Sequence, residues 1–151
     1  MTMHKIMYST DRDGDKWKEE TLANYSSKDL TYIMIQNYFC KLTMEGNFLD
    51  ERNISIYISI NQITQKDFGF LLEINVKQLF TVGNKLELNN CTKSIIRLCK
   101  DIYYKTQYQY AFCDHEVDIE YSWDEFISLN EPMYSISIIP KKNNFDINLA
   151  S

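Results

Sequence analysis

From Cys113 to Glu125 the chain reads C-D-H-E-V-D-I-E-Y-S-W-D-E. These residue types bind metals, move protons or meet a charged partner. Asp114, Glu116, Asp118 and Glu120 fall at every second position, with Cys113, His115, Val117, Ile119 and Tyr121 between them. In an extended chain a period of two puts the four acids on one face and the mostly apolar set on the other. Trp123, Asp124 and Glu125 follow at once. His115, Glu116 and Asp118 invite a metal or acid–base reading, but His115 and Glu116 would then point to opposite faces. Cys113 and His115 share a face at about 6–7 Å, twice the ~3.3 Å rise of a strand, too far for a direct nucleophile–base hydrogen bond. A core thiol beside a satisfied histidine is the simpler reading. The chain has no HExxH, no GxSxG and no phosphate-cradling glycine pattern, and only 4 glycines to build one.

The charge around this segment is lopsided. Residues 1–50 hold 6 basic and 8 acidic groups, net −2; residues 51–110 hold 8 and 5, net +3; residues 111–151 hold 2 and 8, net −6. Between Ala111 and Glu131 there are 7 acids and no Lys or Arg. Like charges this close repel, so the stripe adds little to packing. One reading is an exposed edge strand charged against sheet-to-sheet association. Another is a face that steers and orients a basic partner, with a nearby aromatic as anchor. The net charge of −5 and pI of about 5.0 exclude a nucleic-acid binder that works through general basicity. Tyr103, Tyr104, Tyr108, Tyr110, Tyr121 and Tyr134 therefore fit the rim of a protein interface better than a base-stacking platform.

The positioning elements follow from periodicity and caps. With 151 residues, 44% apolar and 25% charged, the chain has the size and composition of one globular domain. Ser26 and Asp29 fit a helix start, and Leu30, Ile33, Met34, Tyr38 and Leu42 predict a helix of about 15 residues. Ile54, Ile56, Ile58 and Ile60 alternate with Ser55, Tyr57 and Ser59, which predicts a half-buried strand. Residues 68–74 (FGFLLEI) predict a more central strand, antiparallel to it. Asn89 or Asn90 caps a second helix with Ile95, Leu98, Cys99, Ile102 and Tyr103 inward. Tyr108 to Phe112 begins a third strand. Ser122 and Glu125 form a capping box for a short helix through Leu129, ended by Pro132. Met133 to Ile139 is a last strand, stopped by Pro140. A strand at His4 to Ser9 is a weaker signal. Asp11 to Asp15 (DRDGD) resembles the start of a calcium loop, but its positions 6 and 12 hold Lys16 and Leu22. A solvated acidic turn is expected there.

These elements predict an α+β fold. It is a single domain over residues 1–151 with a mainly antiparallel four- to five-stranded sheet. Two longer helices pack on one face and one short helix is added. Residues 1–25 and 141–151 are expected to be loosely ordered. The N-terminus, MTMHKIMYSTDRDGDKWKEE, lacks the apolar run of a secretion signal, and no run approaches the ~20 residues of a membrane helix. A cytoplasmic protein is expected, without membrane or nucleic-acid partners and without a cofactor. Cys40, Cys91, Cys99 and Cys113 contain no CxxC and read as reduced thiols.

At Tyr110 to Glu116 (YAFCDHE), with the short helix and the strand MYSISIIP that follow, the chain resembles small cytosolic bacterial immunity proteins of polymorphic or contact-delivered toxin systems. The likeness of style and layout covers roughly residues 90–140. The resemblance implies a non-enzymatic inhibitor that binds a cognate toxin and blocks its active site. The acidic stripe suits a basic, nuclease-like toxin. The charge pattern, not the resemblance, gives the expected contact set: Asp114, Glu116, Asp118, Glu120, Trp123, Asp124 and Glu125. Two alternatives stay open: a small-molecule or metal-dependent α+β enzyme with a pocket near His115, and a homo-oligomeric subunit that pairs through an exposed strand or aromatic surface.

Overall fold

A computed structural model describes residues 2–22, 25–49, 51–62, 68–114, 121–129, 134–142 and 144–150. The fold is α+β, and its strands pair antiparallel throughout. The chain divides into two compact units, Met1–Val82 and Gly83–Ser151, each one unbroken stretch.

The first unit holds β1 (Thr2–Ser9), β2 (Trp17–Thr21), α1 (Ser27–Gln36), β3 (Phe39–Phe48), β4 (Glu51–Gln62) and β5 (Phe68–Ile74). The sheet order is β2-β1-β3-β4-β5. Alternation in β4 sends Ile54 and Ile56 into the interior at 1% exposure each, while Tyr57 faces out. Ser59 departs from the pattern: it is buried, and its hydroxyl donates to Glu73 at 3.5 Å. Ile6, Leu22, Leu30, Cys40 and Leu42 form the core cluster, and Ile33, Met34, Ile58 and Ile60 pack against it. Helix α1 thus covers the sheet with Leu30, Ile33 and Met34, spaced i, i+3, i+4. Its start is the expected capping box. The Ser26 hydroxyl accepts from the Asp29 N–H, and the Asp29 carboxylate accepts from the Ser26 N–H at 2.8 Å.

Two expectations for this unit are corrected, one weak signal is borne out, and one strand is new. The first helix stops at Gln36, and residues 39–48 form β3. Tyr38 and Leu42 are four apart, a spacing that suits two turns of period two as well as one helical turn, so the helical reading absorbed a strand. Strand β5 is an edge strand, not a central one. Its apolar run leaves Phe68 and Phe70 exposed at 54% and 41%. The weak signal at His4 to Ser9 is a full strand paired on both sides. Strand β2 (WKEET) was hidden by its charges. Between β1 and β2, the Asp11 carboxylate accepts from the Ser9 hydroxyl at 2.5 Å and from the N–H groups of Asp15 and Lys16 at 2.9 and 2.8 Å. These bonds hold it well below the usual carboxylate range. Gly14 takes the left-handed conformation the turn needs, φ 73°.

The second unit holds α2 (Lys85–Thr106), β6 (Ala111–Cys113), α3 (Trp123–Ser128), β7 (Ile136–Pro140) and β8 (Phe145–Leu149), with sheet order β6-β7-β8. Helix α2 begins earlier than expected. Asn84 caps it, accepting from the N–H groups of Leu86 and Glu87 at 3.2 and 3.3 Å. Leu86 and Leu88 are exposed, so the first turns carry no buried stripe for periodicity to find. Residues 145–149, in the tail expected to be loosely held, form β8 against β7. Among the described residues of this unit, Cys91, Phe126, Ile136 and Ile138 are buried.

Candidate functional site

The structure places described residues at both ends of the acidic segment. Glu116, Asp118 and Glu120, with His115, lie outside the described residues; Asp114, Trp123, Asp124 and Glu125 lie within them. What holds the two ends is a ladder of aromatic rings. Tyr110 and Phe112, two residues apart, project from one side of the chain with rings 6.0 Å apart and 9° from parallel. Helix α3 contributes Phe126, whose ring lies 3.9 Å from that of Tyr110 and 5.9 Å from that of Phe112. Tyr134, just before β7, stacks on Phe112 at 4.2 Å. Trp123 extends the ladder beside Tyr110 at 6.3 Å, and Tyr121 meets Tyr134 edge-on at 6.4 Å. Stacks of this kind add to the burial of large apolar rings.

Polar contacts finish the anchoring. The Asp114 carboxylate accepts from the Ser135 hydroxyl at 2.9 Å and from the Ser135 N–H at 3.3 Å, tying the exit of β6 to the entry of β7. At the other end the Tyr110 hydroxyl donates to the Tyr121 carbonyl. The expected capping box then opens α3. The Ser122 N–H and hydroxyl donate to Glu125 at 2.8 and 2.7 Å, and the Glu125 N–H donates to Ser122 at 3.5 Å. The Ser122 N–H, and then its hydroxyl, hold the Glu125 carboxyl below its usual range.

The four described candidates therefore differ. Asp124 is exposed on the first turn of α3. Trp123 is half-buried in the ladder. Asp114 and Glu125 bind groups of their own unit, so part of their charge acts in local structure. Cys113 is half-buried, and burial, then Cys91 and Asp114, raise its thiol. Among the described residues no three His, Cys, Asp or Glu are placed to hold a metal ion.

Sequence reasoning missed the ladder. The i, i+2 pair Tyr110 and Phe112 was its one local signal, and its partners come from 126 and 134. Tyr103, Tyr104 and Tyr108 build a second aromatic group with Phe145: Tyr103 meets Tyr108 at 5.4 Å and Phe145 at 5.2 Å, and the Tyr108 hydroxyl donates to the Cys99 carbonyl at 3.0 Å. In the first unit, His4 sits at a bulge in β1 and pairs with Glu45 at 3.4 Å, lining a shallow cleft with Gly46, Asn53 and Ser55.

Among the described residues no helix is long and apolar enough to cross a membrane. A family model described as Immunity protein 64 matches residues 2–150. No curated protein and no solved structure matches the chain.

Proposed function

The chain belongs to the Immunity protein 64 family, and we propose that it is a non-enzymatic, cytoplasmic inhibitor that neutralises a cognate basic, nuclease-like toxin by docking through its acidic segment. The contact set is Asp114, Glu116, Asp118, Glu120, Trp123, Asp124 and Glu125. The observation that carries this reading is the run of 7 acids without Lys or Arg between Ala111 and Glu131. The aromatic ladder supports it by fixing the chain where that run begins and where it passes into α3. A negative segment on a fixed base steers a basic partner and orients it on arrival. Covering the positive surface with which a nuclease holds its substrate would block the toxin without any chemistry by the inhibitor.

The test begins with capture of the partner from the source lysate at low and at high salt. A single stoichiometric basic protein, weakened by salt, is expected. Association of that protein is then followed by stopped flow with the wild-type chain and with the double variant Asp118→Lys, Glu120→Lys. The variant should associate at least tenfold more slowly at low salt and show a flatter salt dependence. An unchanged rate removes the acidic segment from the mechanism.

A further inference from the structure

The two edges of the five-stranded sheet are treated very differently. Edge strand β2 (WKEET) carries Lys18, Glu19 and Glu20 in five residues. Such charges keep an open edge from pairing with another chain. Edge strand β5 (FGFLLEI) carries one charge, Glu73, and neither Lys nor Pro. It pairs with β4 on one side, and among the described residues no strand pairs with its other side. The register with β4 sets Phe68, Phe70, Leu72 and Ile74 on the face shared with Ile56, Ile58 and Ile60. Gly69, Leu71 and Glu73 lie on the opposite face. Phe68 and Phe70 stay largely exposed. An apolar edge with a single charge, whose outer side no described strand pairs, is a template for a further strand.

We propose that β5 pairs antiparallel with β5 of a second copy of this chain, about a two-fold axis at Leu71, joining two five-stranded sheets edge to edge. The sequence of the strand is what favours a second copy over another occupant. Overlap of all seven residues places Phe68 opposite Ile74 of the other copy, Phe70 opposite Leu72, Leu71 opposite Leu71 and Gly69 opposite Glu73. Both aromatic rings thus gain an aliphatic cross-strand neighbour, a favourable pairing. The only carboxylate meets a glycine rather than its own copy, so no like charges face each other. A two-fold pairing of this kind consumes both open edges and closes. The pairing lies in the first unit and does not depend on the acidic segment of the second.

The experiment is sedimentation of the full chain over a concentration series, with Leu71→Lys alongside. A seven-residue strand pair is a small interface, so a monomer–dimer equilibrium with a dissociation constant on the order of 10 µM is expected. Leu71 lies beside Ser59 on the face opposite Ile58 and Ile60, so lysine there spares the core cluster. It also sets two ammonium groups opposite each other at the axis, which should weaken the dimer at least tenfold. A circular dichroism melt checks that the variant folds. Register is read by oxidative crosslinking. Leu71→Cys should give a disulfide-linked dimer. Glu73→Cys should not, because residues 73 of the two copies stand about 13 Å apart along the strands, beyond disulfide reach. A wild-type chain that is monomeric at every concentration overturns the proposal. So does a folded Leu71→Lys variant that still dimerises, or a dimer that crosslinks through Glu73→Cys and not Leu71→Cys. A monomeric chain whose capture of the toxin is lost on Leu71→Lys would also overturn it, assigning the edge to a strand of the toxin.

Discussion

Phe126 is the side chain on which the ladder turns, and truncating it tests whether the ladder is the structural base of the acidic segment. Its ring is 6% exposed and lies within 6.4 Å of Tyr110, Phe112 and Tyr134. Phe126→Ala removes the buried ring and leaves a cavity among rings too rigid to close it, a cost of about 3–4 kcal/mol. Phe126→Leu keeps most of the apolar area and loses the stack on Tyr110, so about 1.5 kcal/mol is expected. The gap of roughly 2 kcal/mol between the two variants measures burial, and the smaller value measures stacking plus misfit. Trp123 is itself a rung of the ladder, so its fluorescence reports the site directly. Urea titrations in a Trp17→Phe background, which silences the only other tryptophan, give both numbers. If Phe126→Ala costs less than about 1 kcal/mol, the rings are stacked but carry no stability, and the argument that they fix the ends of the segment fails.

Three further outcomes follow from single groups. Asp114→Ala should cost about 1 kcal/mol, and hydrogen exchange should quicken at the Ser135 amide that Asp114 binds. The Glu125 carboxyl is held below its ordinary value of 4.5. The stability it gives α3 is present above that value and is lost as pH falls through the lowered folded value. An acid titration of helicity should show this loss; Glu125→Gln should remove it, and Ser122→Ala, which keeps the Ser122 N–H and deletes only the hydroxyl, should reduce it. Burial raises Cys40 and Cys99 from 9.0 to about 11. The thiolate fraction at pH 8 falls by roughly 100-fold, so a thiol reagent should label them slowly in the native protein and fast in denaturant.

The legible parts of the fold were those whose signals were local and unambiguous. Isoleucines 54 to 60 alternate without interruption, and both capping boxes, Ser26 with Asp29 and Ser122 with Glu125, could be read within four residues. Strand β3 was lost because Tyr38 and Leu42 fit two periods at once. Strand β2 was lost because Lys18, Glu19 and Glu20 mask it, and the start of α2 because Leu86 and Leu88 are exposed. At the site, the acidic period was plain in the sequence. The ring partners of Tyr110 were not, since Phe126 lies sixteen residues on and reaches it only through α3. The bond from Ser135 to Asp114 spans twenty-one residues and had no local signal.

The division of the chain into two unbroken stretches has a consequence for how the protein is made. All five strands of the first sheet have been synthesised before residue 83 is added. At about 5–20 residues per second, residues 83–151 follow over roughly 3–14 s. Strand β5 therefore leaves the ribosome ahead of the acidic segment proposed to meet the toxin. Neighbouring ribosomes on one message would hold such nascent chains close together. The edge can therefore find its own copy before the acidic segment is available to any toxin.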